Sequence, residues 1–225
     1  CDCDVVRTSN LSETLITQGI LVVFSDNVLI QNCVFKNITG ECLHIAYGGS
    51  LIISTNRFID VGCGLILTND RFFYMDFSIK NNLFLRNENG ILIDNYAYEY
   101  YHSEIIGNIF YQCSTSLFIY HGGPMSVRNN DIIGSREYSI MTRSTKGSFS
   151  LNNFWYNCGT NLTFRDGKYQ GIGCYNGRPP DLYHNYWSDN KRVDSDCDGI
   201  LDDPHPVGEI SDNKIYERNS LIRPK

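Results

Sequence analysis

A repeat runs through most of this chain. Seven segments align: "VLIQNCVFKN", "LIISTNRFID", "FSIKNNLFLR", "SEIIGNIFYQ", "MSVRNNDIIG", "FSLNNFWYN" and, more distantly, "LYHNYWSDN". Each carries a large apolar residue, in order Phe35, Phe58, Phe84, Phe110, Ile132, Trp155 and Trp187, spaced 22 to 32 residues apart. Two positions earlier stand Cys33, Asn56, Asn82, Asn108, Asn130, Asn153 and Asn185, so six of the seven are Asn. Several units then resume with a short apolar run, "CLHI", "GLIL", "GILI" or "SLFI".

Self-similarity at such a period marks a stacked architecture. Apolar residues alternate with period two, which excludes a helix. No strand is long enough to fold alone. Stacked in parallel at about 4.8 Å per layer, such units bury one continuous core. An Asn at a recurring turn can take the left-handed conformation, and its amide can bond to the layers above and below. The pattern predicts an all-β, right-handed, single-stranded parallel β-helix of about seven coils, with an Asn ladder and an aromatic column inside. A β-sandwich gives no reason to keep Asn and an aromatic at one offset. Residues 1–18 read as an irregular lead-in. Residues 19–190 read as the solenoid, with "GILVVFSDN" closing its first coil and a Gly- and Pro-rich loop at 165–183. Residues 191–225 form an acidic tail.

The segment "GILVVFSDNVLIQNCVFKN" resembles the carbohydrate-binding and sugar-hydrolase-type β-helix repeat, the NosD-like group within the pectate-lyase-like superfamily. The ending "HNYWSDNKRVDSDCDGILDDPHPV" is similar to the N-x-W…D-x-D-x-D-G-x-x-D-x-P-x-P ending of NosD-like surface proteins. Asn185, Trp187, Asp194, Asp196, Asp198, Gly199, Ile200, Asp202 or Asp203, Pro204 and Pro206 carry that match. The resemblance implies an exported or surface-attached protein of the archaeal or bacterial type. Cys197 departs from the pattern and suggests a disulfide pinning the tail. Copper, which some relatives' names evoke, is not carried over, because no His/Met/Cys cluster selects it.

The tail also has a chemical reading of its own. Asp194, Asp196 and Asp198 alternate before Gly199, as in the first half of an EF-hand-like calcium loop. Ile200 would supply a backbone carbonyl and Asp202 a further ligand. The twelfth position is His205 instead of the bidentate Glu, and Asp203 offers a substitute. The alternative is an acidic turn whose Asp residues cap backbone groups. A calcium ion there would be structural, docking the tail over the end of the solenoid.

Composition narrows the function classes. The net charge is −6 with no basic run, so the electrostatic footprint of nucleic-acid binding is missing. No run approaches the 18 apolar residues of a transmembrane helix. The 9 cysteines are scattered, without C-x-x-C, which argues against a zinc ribbon or redox pair. At this density they fit an oxidising, extracellular or cell-surface setting. Cys42 with Cys63 is the preferred disulfide, and Cys158 with Cys174 would close the 165–183 loop; buried free thiols are the alternative. Cys1 is the natural leftover thiol, at a lipid-anchored start or a simple boundary, and Cys1 and Cys3 are poor partners for each other. The sequons at Asn10, Asn37 and Asn161 carry no weight in a chain this rich in Asn.

A face for chemistry can be sought on the strands after the turns. If Leu43 and Ile45, Leu65 and Leu67, Ile91 and Ile93, Leu117 and Ile119 point inward, then His44, Ile66, Leu92 and Phe118 form an outward column. That column is mostly apolar, suited to cover by loops or a partner. The neighbouring column is Ala46, Thr68, Asp94 and Tyr120. If the protein is an enzyme of the polysaccharide lyase or glycoside hydrolase type, Asp94 with Glu99, His102 and His121 is the best constellation, joined by Asp70, Arg71 and Asp76. No spacing enforces it, and catalysis is the lesser expectation. Tyr96, Tyr98, Tyr100, Tyr101 and Tyr120 crowd successive loops. Such tyrosines pack over apolar strands, bind proteins or stack on sugars. No amphipathic capping helix precedes the first coil. A contact between coil ends would propagate as a filament, so self-association is the favoured partnership, with a glycan or surface protein as the other candidates.

Overall fold

The computed structural model describes residues 4–6, 18–47, 49–69, 75–95, 103–120, 124–143, 147–157, 172–175, 181–187, 205–210 and 213–217. Every regular element among them is a strand. They stack into three parallel sheets of eight, seven and seven strands. Sheet 1 includes Val34–Lys36, Arg57–Ile59, Leu83–Leu85, Ile109–Tyr111 and Asp131–Ile133. Sheet 2 includes Glu41–Ala46, Cys63–Asn69, Asn89–Asn95, Thr115–Tyr120 and Tyr138–Arg143. Sheet 3 includes Ser50–Ser54, Asp76–Lys80, Ser103–Ile106, Met125–Arg128 and Gly147–Ser150. The chain visits the sheets in rotation and returns one layer further along, so each strand pairs with its equivalents in the coils before and after. This is the expected parallel β-helix.

Five coils from Val34 to Ser150 make the body. Asp4–Val6 precedes them as a strand pairing with Val34–Lys36, inside the stretch expected to be irregular. Ile172–Tyr175 and Asp181–Tyr183 extend sheets 2 and 3, so the expected 165–183 loop contains strands. His205–Ile210 and Asn213–Glu217 form an antiparallel pair within the tail.

The core follows from two columns. Phe35, Phe58, Phe84 and Phe110 stack face to face at 4.8 Å between successive centroids, with planes within 3–7°. Parallel pairing in register forces that spacing, because identical positions repeat at the interstrand distance. Beside them runs the ladder. Asn82 Oδ1 accepts from the Asn56 backbone N–H at 2.9 Å and from its Nδ2 at 3.0 Å. The same pair of bonds joins Asn82 to Asn108, Asn108 to Asn130, Asn130 to Asn152 and Asn152 to Asn185. Cys33 opens the column, offering Asn56 only its backbone N–H.

The structure departs from two expectations. The ladder member of the sixth repeat is Asn152 and its core residue is Phe154, one position before Asn153 and Trp155. "NNF" fits either register by eye. The structure selects one because Ile132 pairs with Phe154 and Ile133 with Trp155; Asn153 then bonds Asp131 Oδ1 at 2.7 Å. Second, the left-handed residue is not the ladder Asn but the one before it: Asn32, Thr55, Asn81, Gly107, Asn129, Leu151 and His184 have φ of 55–66°. That residue turns the corner, and the ladder amide, pointing inward, ties the corner to its neighbours.

A third column explains the small residues. The sheet 2 register runs Glu41↔Cys63 and then Leu43↔Leu65, passing over Cys42 and Gly64. A Cβ on Gly64 would lie 2.8 Å from Phe84 Cδ1, and one on Gly90 would lie 2.8 Å from Phe110 Cδ1. The aromatic stack therefore leaves room only for small side chains at this corner.

Candidate functional site

Sheet 2 was the expected site-bearing face, and its registers bear out the orientation. Leu43, Ile45, Leu65, Leu67, Ile91, Ile93, Leu117 and Ile119 all point inward and are fully buried. Outside them run Leu21, His44, Ile66, Leu92, Phe118 and Met141 in one column. The next column is Val23, Ala46, Thr68, Asp94 and Tyr120. The first is apolar apart from His44.

The sequence-derived candidates divide by position. Asp94 and Tyr120 are half-buried in register on adjacent coils. The Tyr120 ring stands edge-on to Phe118, 5.3 Å between centroids, so it packs over the apolar column. Asp76 opens a sheet 3 strand and does not join the sheet 2 column of Asp94. Glu99, His102, His121, Tyr96, Tyr98, Tyr100, Tyr101, Asp70 and Arg71 lie outside the described residues. So do Cys158 and the calcium candidates Asp194, Asp196, Asp198, Ile200, Asp202 and Asp203. Among the described residues no three His, Cys, Asp or Glu side chains gather to hold a metal, and no helix is long and apolar enough to cross a membrane.

Cys42 and Cys63 do not form the expected bridge; both are free thiols in this structure. Cys42 sits in the inward corner column below Gly64, whereas Cys63 continues the column of Glu41 and Asn89. Adjacent coils bring them near, but their side chains leave the strand differently. Burial pushes the Cys63 thiol up to about 12, helped by the Glu41 carboxylate. Burial pushes Cys113 up to about 11 and raises Cys42 as well, with Cys63 adding to the effect. These thiols are poor nucleophiles, because the reactive form is the thiolate.

Two described acids have structural partners. Asp60 receives Arg86 Nε at 2.6 Å and Nη2 at 2.7 Å, and the Arg86 hydrogen bond lowers its pKa. Glu104 pairs with Lys80 across one coil and accepts from Ser78 Oγ at 3.0 Å; both partners hold it low, Lys80 more strongly. Sequence reasoning passed over one arrangement: Glu41 Oε2, His44 and Thr68 Oγ1 form a chain of contacts, each 3.0 Å, between neighbouring coils. The only signal for it in sequence was a polar His in an apolar column.

The stacked parallel sheets, the ladder and the aromatic column agree with comparison to known families. The model described as "Right handed beta helix region" matches residues 3–154. The chain belongs to the right-handed β-helix family. The match covers the body of the β-helix, from Asp4–Val6 through the turn at Asn152. No curated protein and no solved structure matches the chain. The β-helix family is compatible with surface and enzymatic roles alike, because function on a shared scaffold lives in the grafted site.

Proposed function

We propose that this β-helix is an exported or cell-surface structural and recognition protein of the NosD-like type, which self-associates through its coil ends. The observation that carries the proposal is the apolar first coil. Inward residues of the following coils, such as Leu43, Ile45 and Leu65, are fully buried. Their first-coil equivalents Ile20, Val22, Val28 and Ile30 are only partly buried. Around them Leu21, Val23, Phe24, Leu29 and Ile52 are exposed, Phe24 at 65 %. Among the described residues, strands Gln18–Val23 and Asn27–Gln31 end sheets 2 and 3 on this side. A strand edge flanked by apolar side chains is a template for another strand, and burying it against a second copy removes both liabilities. The acidic tail, proposed to bind calcium, would stiffen the other end.

The test is electron microscopy and light scattering of the full chain beside Leu29→Glu and Ile52→Glu. Both sites are exposed, so folding is retained. Elongated assemblies that the variants reduce to monomers are the expected result. Wild-type protein that stays monomeric at high micromolar concentration overturns the reading.

A further inference from the structure

Strict alternation sends residues three apart to opposite faces of a sheet. Glu41 and His44 escape that rule. Cys42 and Leu43 are both fully buried, at the place where the register passes over Cys42 and Gly64. Glu41 and His44 therefore meet on one side, with Glu41 Oε2 accepting from His44 Nδ1 at 3.0 Å. A carboxylate only accepts, so Nδ1 carries the proton of this bond, and in the neutral ring the lone pair then sits on Nε2. On the next coil Thr68 Oγ1 lies 3.0 Å from Nε2, within reach to donate to that lone pair. Ala46 precedes Thr68 in its column and Asp94 follows. Ile66, Leu92 and Phe118 continue the His44 column. Glu41, His44 and Thr68 all remain partly accessible to solvent.

We propose that Glu41, His44 and Thr68 form an acyl-transfer site that cleaves carboxylic esters with an apolar acyl group and an uncharged or cationic alcohol. Thr68 is the nucleophile, His44 the general base and then acid, and Glu41 the positioning residue. Thr68 Oγ1 bonds to the ester carbonyl carbon while its proton passes to His44 Nε2. The tetrahedral adduct expels the alcohol oxygen, which takes that proton, and the acyl group remains on Thr68 as an ester. A water molecule then gives a proton to Nε2 and attacks the acyl carbon. The carboxylic acid leaves, and the proton returns to Thr68 Oγ1. The acyl chain lies along Leu92 and Phe118, and the Asp94 carboxylate disfavours an anionic alcohol portion. This activity is independent of self-association, since it uses coils inside the body.

The test is covalent labelling of the full chain by a fluorophosphonate probe between pH 5 and 9, with the adduct located by mass spectrometry, and hydrolysis of p-nitrophenyl butyrate. Thr68 should carry the adduct, and Thr68→Ser should retain labelling. Thr68→Val and His44→Ala should fall by about 100-fold or more, the usual scale of general-base catalysis. Glu41→Gln should slow labelling and move the midpoint of its pH profile, which a purely structural residue would not do. Absence of a Thr68 adduct in the wild type overturns the proposal. So does hydrolysis that is unchanged in Thr68→Val. Should Thr68→Val fail to fold, Thr68→Ser and Glu41→Gln carry the decision: a Glu41→Gln profile identical to wild type refutes the relay.

Discussion

Replacing Asn108 with Ala tests whether the ladder holds the coils together or merely decorates a turn. Asn108 is buried at 1 % exposure. Its Oδ1 accepts from the Asn82 backbone N–H and Nδ2 at 2.9 and 3.0 Å. Its Nδ2 donates to Ile79 O at 2.9 Å and to Asn130 Oδ1 at 3.0 Å. In the variant, Asn82 Nδ2 keeps Ile53 O, and Asn130 Oδ1 keeps the backbone N–H of residue 108. The Asn82 backbone N–H loses its acceptor, and the Ile79 carbonyl loses its amide donor. The Ile79 carbonyl keeps its ladder bond to the paired strand Ser103–Ile106, so one buried group is left unsatisfied, at a cost of about 1–3 kcal/mol. Asn56→Ala should cost less. Its Oδ1 accepts one bond, from the Cys33 backbone N–H, instead of two, and its Nδ2 donates to Asn82 Oδ1 and to the carbonyl of Ile30, the latter on the partly buried first coil where water can substitute. Urea denaturation followed by circular dichroism measures both variants. Hydrogen exchange at the Asn82 amide locates the loss, since solenoid stability sums over coils and their interfaces. An Asn108→Ala cost below about 1 kcal/mol, or one no larger than that of Asn56→Ala, would refute the reasoning.

Gly64→Ala should destabilise the protein by about 1–3 kcal/mol through overpacking. The new Cβ meets Phe84 Cδ1 and the Gly90 carbonyl at 2.8 Å each, and Phe84 is held by rings on both sides; a neutral melting temperature would show that the stack can shift. Stability should fall on the alkaline side, because Cys63 and Cys113 keep their protons in the folded chain up to about 12 and about 11 whereas unfolded thiols release theirs near pH ~8.5. The unfolded state thus binds fewer protons above that pH, and the stability is lost as pH rises through the folded values. A Cys63→Ser, Cys113→Ser double variant should show a shallower slope in denaturation midpoints between pH 8 and 11, and an unchanged slope would rule the thiols out as the cause. If Asp194, Asp196 and Asp198 hold calcium, a chelator should lower the melting temperature of the wild type and leave that of Asp196→Asn unmoved; a wild-type transition indifferent to chelator removes the ion from the account.

The class of fold is legible in the order of residues alone, because stacking layers of one chain repeats equivalent positions at a common offset. The Phe35 to Phe110 column and five of the six ladder asparagines were legible from that offset alone. So were the inward residues of sheet 2, since period-two alternation assigns faces without reference to neighbours. What needed tertiary structure was every choice between adjacent residues. Asn152 and Asn153 are chemically identical, and only the pairing of Ile132 with Phe154 decides which enters the ladder. Cys42 and Cys63 look like partners along the chain, yet one lines the aromatic stack and the other continues the column of Glu41. The same corner, where two consecutive residues turn inward, brings Glu41 to His44 and His44 to Thr68. Alternation predicts the opposite, because local periodicity carries no information about where a corner interrupts the strand. That interruption is set by the volume of the phenylalanine stack one layer away.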